Sequence, residues 1–381
     1  MDGLGHNFST QQRIWMSTTS RQCYDLAEFR ELTKLPLRIP FVLLLAFLSA
    51  EHAAHAQGFA FGLFERYLEP LRVQAGIPGL SGAIVHNGRI VWEQVFGAAD
   101  VERSIPVRPD TPFFIADMSQ TFGATLLMQR VERGDLDLDE RIDQWTTMIP
   151  EPGVTVRHVL THTTTGSYSY NPDRFSALTP VIESYTKEPY RLTIAREILE
   201  FAAMTESAPG YDFEQPTASM LELFDADDLA RYQAVVRRMA VPYRIDGRGR
   251  PVRSAIPPRA NAIDASTGLV TTARDLWRFD SALDRGVFVG RELLGYMRNG
   301  AQPGTPRGLG WFVQAYNGER LVWHFGISQN AYSSLILKVP SRNLTLILLA
   351  NSDGLSAPFA LDRGDVTTSL FAKLFLSLFV S

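Results

Sequence analysis

Cysteine is nearly absent from this chain of 381 residues, in which Cys23 is the only one. Because Cys23 lies in an N-terminal stretch that we expect to be removed, the remaining chain would carry no thiol and no disulfide. Any nucleophile must then be an oxygen, and stability must come from a buried core, which a chain of this length can supply. The sequence also has no Cys/His cluster, no HExxH pattern and no glycine-rich loop placed after a strand. We therefore expect no metal and no cofactor.

A strong charge bias and a long apolar run are also missing. The formal net charge is only −4, and acidic and basic residues are interspersed, so nucleic acid is not expected as a partner. The apolar runs Ile39–Leu48 and Leu374–Phe379 are too short to span a membrane, so we expect no membrane span in the mature chain. A small-molecule or peptide-like ligand stays open as a partner, and the sequence does not indicate the oligomeric state.

The N-terminal stretch has the organisation of an export signal. Lys34 and Arg38 precede a short apolar run, and Ala54-His55-Ala56 provides a small-x-small cleavage site. A membrane anchor is the alternative, which the shortness of the apolar run disfavours. We therefore predict that residues 1–56 form an export leader and that the mature chain, residues 57–381, is periplasmic or extracellular.

Apolar periodicity and turn signals predict strands at both ends of the mature chain and helices between them. Asn87-Gly88 separates two apolar runs and is a strong hairpin signal, and Asn317-Gly318 marks a second hairpin. The predicted helices are Phe61–Ala75, Thr155–Thr161, Phe175–Tyr185, Ile194–Met204, Ala226–Met239, Ala273–Leu283 and Thr367–Val380. The predicted strands are Ser81–His86, Arg89–Phe96, Gly310–Tyr316, Arg320–Phe325, Ser333–Val339 and Leu344–Ala350, and Tyr243–Ala260 is predicted to be a long ordered loop.

This order predicts an α/β fold of the α+β kind. An antiparallel sheet would be built from both chain ends, flanked by helices, with a helical region inserted between its halves. The expected sheet part covers about 57–110 and 305–381, and the helical part covers about 111–304. The stretch Phe113–Arg130 should open the helical part. Its apolar residues recur at helical spacing, so we expect a helix with one buried face, at whose N-terminus negative charge is stabilised.

Five segments, in this order, resemble the serine β-lactamase and penicillin-binding-protein family, especially its class C-like esterase branch. They are Phe122–Ile142, Thr155–Gly166, Ser266–Phe279, Trp323–Gly326 and Leu346–Gly354. The resemblance extends over nearly all of Phe61–Phe379. It implies a β-lactamase/transpeptidase-like fold and descent from serine hydrolases.

The resemblance also implies a Ser-x-x-Lys motif at the opening helix, where the lysine one turn later removes the serine proton. The alignment instead places Asp117 and Gln120 at these two positions. A carboxylate that attacked an acyl carbon would give a labile anhydride, and a neutral amide cannot accept a proton. We interpret the pair as a loss of the acylating residues. Ser119 is the alternative nucleophile, but it lies on a different side of the helix and is interpreted as packing.

The two other motifs of the family are better preserved. Tyr170 matches the tyrosine of its Tyr-x-Asn motif, with Pro172 in place of the asparagine, and a shift of one residue brings Asn171 into place or matches Tyr168 instead. Tyr170 is either a proton carrier or a buried loop aromatic. His324-Phe325-Gly326 matches the His-x-Gly strand, which implies that this edge binds substrate and helps to stabilise an oxyanion. His162 matches a structural histidine of the family and is assigned no chemistry.

Three functions follow as hypotheses, and whether the protein is an enzyme stays open. The preferred one is an exported, non-catalytic member that binds a ligand in the remaining cleft. The second is a hydrolase of an ester, amide or peptide-like substrate in which Asp117 acts as base for water, assisted by Tyr170 and His324. The third is a periplasmic interaction protein that uses the arginine-rich segment Tyr243–Ala260 as its contact surface.

Overall fold

The structure is a computed structural model that describes residues 58–257, 262–299 and 307–380. The predicted leader and its cleavage site lie outside the described residues, as does the end of the Tyr243–Ala260 segment. Within the described ranges, no helix is both long enough and apolar enough to cross a membrane.

The strands are numbered in chain order. They are β1 (Gly79–His86), β2 (Arg89–Asp100), β3 (Ile105–Pro106), β4 (Phe113–Phe114), β5 (Tyr243–Ile245), β6 (Pro251–Arg253), β7 (Val270–Thr271), β8 (Phe312–Tyr316), β9 (Glu319–Ser328), β10 (Tyr332–Val339) and β11 (Leu344–Ala350).

The helices are numbered in the same way. They are α1 (58–74), α2 (Gln120–Glu132), α3 (Val156–Leu160), α4 (Pro172–Phe175), α5 (Leu178–Thr186), α6 (Tyr190–Ile194, continued by a π-helical stretch, Ala195–Glu200), α7 (Ala218–Leu223), α8 (Ala226–Arg237), α9 (Ala273–Asp284), α10 (Arg291–Asn299) and α11 (Leu370–Phe379). Single 3₁₀ turns lie at Ala116–Ser119, Ile142–Gln144, Pro340–Arg342, Asp353–Leu355, Leu361–Arg363 and Val366–Thr368.

The main sheet combines strands from both ends of the described chain, as predicted. Its order is β3-β2-β1-β11-β10-β9-β8, and every neighbouring pair is antiparallel. The β1–β2 hairpin turns at Asn87 and Gly88, whose φ angles of 52° and 74° suit a two-residue turn with left-handed backbone. The fold class is therefore confirmed, whereas the exact division into a sheet part and a helical part stays a prediction.

The two faces of the sheet are covered by different layers. On one face, α1 and α11 contribute phenylalanines such as Phe64 and Phe375 to an apolar cluster that also contains Trp323 and Phe325 of β9. On the other face lie α2, α9 and the remaining helical region, whose buried side chains form a second apolar cluster. The site residues lie where this helical layer meets the edge of the sheet beyond the end of β8.

The opening helix differs from its prediction. Phe113 and Phe114 form β4, which pairs with β7, and the α-helix begins only at Gln120 after the 116–119 turn. Every residue from Gln120 to Arg130 is buried, so the expectation of one buried face is wrong. A central helix can bury polar residues when they are hydrogen-bonded. Thr125, for example, donates to the carbonyl of Thr121 at 2.7 Å.

The predicted long loop from Tyr243 is also wrong over its first half. Strands β5 and β6 pair there as a short hairpin. Asp246 holds the turn because its carboxylate accepts hydrogen bonds from the backbone N–H groups of Arg248 and Arg250, at 2.8 and 2.9 Å. The segment has little apolar content and many arginines, so its apolar pattern does not indicate the two strands.

Candidate functional site

Asp117 lies in the 3₁₀ turn Ala116–Ser119, directly against the free edge of β9. Strand β8 begins at Phe312, which pairs with Trp323, so the residues of β9 after Trp323 have no partner in β8 and lie beside this turn instead. Asp117 is 4% exposed, and its Oδ2 accepts a hydrogen bond from the backbone N–H of Ile327 at 3.4 Å. Ala116 supports the turn with a left-handed φ of 49°, which is rare outside glycine.

Gly326 makes this close approach possible. A Cβ atom at Gly326 would overlap the carbonyl oxygen of Ile115 and would lie 2.5 Å from Ser334 Oγ. Ser334 in turn donates from Oγ to that carbonyl of Ile115 at 2.8 Å, which ties the turn to β10. The glycine of the His-x-Gly motif is therefore required here by backbone packing.

Gln120 is the first residue of α2 and forms the centre of a buried hydrogen-bond cluster. Its Oε1 lies 3.2 Å from His162 Nε2, and its Nε2 lies 3.4 Å from the Tyr170 hydroxyl and 3.5 Å from Ser266 Oγ. The ring of His162 packs against Tyr170 with 4.6 Å between centroids. The structure thus brings the predicted residues Gln120 and Tyr170 together.

The direction of the hydrogen bonds in this cluster follows from one backbone donor. The N–H of Asn171 donates to His162 Nδ1 at 3.4 Å, so Nδ1 carries no proton and the hydrogen of the neutral ring is on Nε2. His162 Nε2–H then donates to Gln120 Oε1, which leaves the Gln120 amide nitrogen to donate to the two hydroxyls. The pattern assigns both the histidine tautomer and the amide orientation.

The cluster is uncharged at neutral pH. Burial, followed by electrostatic interaction with His324 and Arg307, lowers the pKa of His162 to about 3. The groups that bond Gln120 are therefore a neutral imidazole and two hydroxyls. None of these groups enables Gln120, one turn after Asp117, to accept a proton.

His324 lines a small cavity, which it shares with His162. Its Nδ1–H donates to the carbonyl of Phe325 at 2.7 Å, and burial lowers its pKa to about 4. Its Nε2 is buried and has no hydrogen-bond partner among the described residues. The cavity has a volume of about 10 Å³, enough for one water, and His162, Arg307 and Trp311 line it as well.

Asp117 instead lines a groove of about 180 Å³. The groove is bounded by Phe114, Tyr211, Ile256 and Ile327 and by the polar side chains of Thr267, Ser328 and Gln329. The expected site residues therefore divide among this groove, the Gln120 cluster and the His324 cavity.

Three further predicted residues have clear packing roles. Asn171 caps α4, because its Oδ1 accepts from the N–H of Arg174 at 3.0 Å. The side chain of Phe325 joins the apolar cluster on the α1/α11 face, with its ring 5.1 Å from that of Tyr170. Ser119 Oγ accepts from the N–H of Leu269 at 3.3 Å and is buried, which agrees with its interpretation as packing.

Three residues of this region are not predicted as site residues from the sequence. His162 was assigned no chemistry, yet it is the donor that orients Gln120. Ser266 lies within a family-like segment, but its contact with Gln120 joins residues far apart in the chain, which no local spacing reveals. Arg307, whose guanidinium lies 3.8 Å over the Tyr168 ring, belongs to no recognised motif.

Comparison with known proteins finds matches within one protein family. The family model for beta-lactamase matches residues 64–367. PbpX of Bacillus subtilis (strain 168), whose name places it among penicillin-binding proteins, is 24% identical over 62% of this chain and 62% of its own length. Esterase EstB of Burkholderia gladioli is 27% identical over 46% of this chain and 52% of its own. The chain thus spans less than two thirds of these relatives.

Solved structures support the same fold. The octameric penicillin-binding protein homologue from Pyrococcus abyssi superposes with a TM-score of 0.64 at 22% identity, covering 83% of this chain and 77% of its own. At this level of identity the likeness concerns the fold alone.

Proposed function

This chain belongs to the beta-lactamase family, and we propose that it is a member that binds a small-molecule or peptide-like ligand without becoming acylated. The observation that carries the proposal is the neutral hydrogen-bond cluster around Gln120. Acylation of an oxygen nucleophile requires a base that accepts its proton. Gln120 occupies the position where the family resemblance puts that base, and a carboxamide has no basic nitrogen.

The hydrogen bonds leave Gln120 no second role. Its carbonyl oxygen accepts from His162, and its nitrogen donates to Tyr170 and Ser266. Loss of one member of a nucleophile–base pair costs about as much as loss of the pair, on the order of 10⁶ in rate in serine proteases. The chemistry available at this helix therefore favours binding over turnover.

The environment of Asp117 supports the same proposal. Backbone N–H groups at a strand edge stabilise an oxyanion when they point at the reacting carbonyl. Here the N–H of Ile327 already donates to the Asp117 carboxylate. A substrate carbonyl would have to displace a charged acceptor from this donor.

A ligand site remains beside these residues. The groove of about 180 Å³ combines the apolar side chains of Phe114, Tyr211 and Ile327 with the polar side chains of Ser328 and Gln329. Ligand sites usually combine apolar walls with a few polar groups in this way. The relatives named for penicillin binding and for esterase activity favour an acyl or peptide-like compound as the ligand.

The test compares the wild type with a variant in which the acylating pair is restored. Both are incubated with a fluorescent penicillin and with a p-nitrophenyl ester. We expect no covalent label and no turnover in the wild type, and labelling in Asp117→Ser/Gln120→Lys. Any low background signal of the wild type should remain unchanged in the variants Tyr170→Phe and His324→Ala. Labelling of the wild type that these two substitutions abolish would overturn the proposal.

The second candidate is a hydrolase in which Asp117 activates water, because the carboxylate does line a groove. Oδ2 of Asp117 already accepts a hydrogen bond from the backbone N–H of Ile327, so this oxygen is engaged and less available to take a proton from water. If any measured ester hydrolysis is lost in Asp117→Asn, this candidate replaces the first one.

Export is a separate part of the proposal and rests on the pattern of residues 1–56. Expression of the full chain in a bacterium, followed by fractionation and N-terminal sequencing, tests it. We expect the mature form in the envelope or medium, beginning at Gln57. An uncleaved chain in the cytoplasm would contradict export.

A further inference from the structure

A second cleft lies at the far end of the sheet from the Asp117 groove. It has a volume of about 370 Å³ and lies between the β1–β2 turn, the β10–β11 connection and α9. Thr345, one of its lining residues, pairs with Lys338 of β10, whereas Ser334 of the same strand pairs with Gly326. Four strand residues correspond to about 13 Å, so the two sites are separate.

Three arginines line this cleft, namely Arg89, Arg285 and Arg291. All three are exposed, and none forms an ion pair with a carboxylate in the described part of the chain. Each comes from a different element: the start of β2, the end of α9 and the start of α10. Arginines without an ion pair that line one cleft from separate elements favour an anionic ligand.

The two carboxylates of the cleft, Asp280 and Asp284, already form ion pairs with buried cations. Lys338 is 2% exposed and forms ion pairs with both Asp280 and Asp284. Arg298 adds a second cation to Asp284 at 2.6 Å, and Thr345 donates to Asp280 at 3.1 Å. With these two cations included, positive groups outnumber negative ones by three.

A buried hydroxyl at the same cleft lacks a partner. Ser281 lines the cleft and is 7% exposed, and its Oγ forms no hydrogen bond within the described residues. A buried polar atom without a partner costs free energy, so its position beside the cleft points to a ligand or water that satisfies it.

We propose that this cleft binds a tetrahedral oxyanion, the phosphate or sulfate group of a small molecule. Arginine forks donate in pairs to the oxygens of such groups, and the Ser281 hydroxyl donates to a further oxygen. The volume exceeds that of the bare ion, which leaves room for an organic part between the Asn87-Gly88 turn and Asn343.

Calorimetric titration of the full chain at constant ionic strength tests the proposal. The probes are inorganic phosphate, inorganic sulfate and glycerol phosphate, with chloride as the blank. We expect saturable binding of at least one probe in the wild type. Preference for glycerol phosphate over inorganic phosphate identifies an organic phosphate as the source, whereas preference for inorganic sulfate over inorganic phosphate identifies sulfate as the recognised group.

Two triple variants of equal charge provide the comparison. The first, Arg89→Gln/Arg285→Gln/Arg291→Gln, should weaken binding at least tenfold. Separately, Ser281→Ala should weaken binding several-fold. The control Arg66→Gln/Arg133→Gln/Arg248→Gln removes three exposed arginines outside the cleft and should bind as the wild type does. No binding in the wild type, or equal losses in the two triple variants, would overturn the proposal.

Discussion

His162 Nε2 lies 3.2 Å from Gln120 Oε1, and the backbone N–H of Asn171 fixes His162 as the donor. This contact joins the first residue of α2 to the loop after α3. It holds the Gln120 amide in one orientation, so the position that a base would occupy carries a neutral, fully engaged group. The proposed absence of acylation and the stability of this region then have the same origin.

Replacement of Gln120 should therefore reduce stability. Gln120→Ala leaves His162 Nε2–H buried without an acceptor, which costs about 1–3 kcal/mol in the free energy of unfolding. Urea unfolding measures the difference. The control is Gln74→Ala on the exposed side of α1, which should change stability by less than about 0.5 kcal/mol. Equal stabilities of the two variants would show that the Gln120 cluster contributes nothing.

Stability should also fall in mild acid because of the two buried histidines. Burial lowers the pKa of His162 to about 3 and that of His324 to about 4, whereas an unfolded histidine titrates near about 6.5. Between about pH 6.5 and 4 the unfolded chain binds protons that the folded chain does not, so stability is full above this range and decreases as the pH falls through it.

The variant His324→Asn isolates one of these contributions, since an asparagine amide can still donate to the Phe325 carbonyl. The urea midpoint is measured from pH 7.5 to 4.5. We expect the variant to lose less stability than the wild type over this interval. Parallel profiles would contradict the assignment of a neutral, buried His324.

The approach of the Asp117 turn to β9 depends on Gly326. Gly326→Ala places a Cβ against the Ile115 carbonyl and Ser334 Oγ, so the backbone must move. We expect a loss of about 2–4 kcal/mol in the free energy of unfolding, measured in urea. Gly247→Ala is the matched control because its Cβ meets nothing within 4 Å. If both alanines are tolerated equally, Gly326 does not define the turn.

Much of the fold could be predicted from the sequence because its signals are local. The Asn87-Gly88 turn and the apolar runs of the strands each act within a few residues. The same local rules failed at α2, where tertiary burial on all sides erased the amphipathic pattern. They also failed at the β5–β6 hairpin, which Asp246 closes through side-chain hydrogen bonds.

The site was predictable only in part for a related reason. Gln120 and Tyr170 were found through motif positions, and the structure places them 3.4 Å apart. The motif positions gave no sign that Asp117 faces a groove while His324 faces a separate cavity. That separation depends on side-chain direction at the end of β9. Likewise, the role of His162 depends on a hydrogen bond from Asn171.

The most direct measurement is the intact mass of the wild-type protein after prolonged incubation with benzylpenicillin. We expect an unchanged mass for the wild type, and a mass increased by one penicilloyl group for Asp117→Ser/Gln120→Lys treated in parallel. A penicilloyl adduct on the wild type, located by peptide mapping on a side chain of the Asp117 groove or the Gln120 cluster, would contradict this expectation.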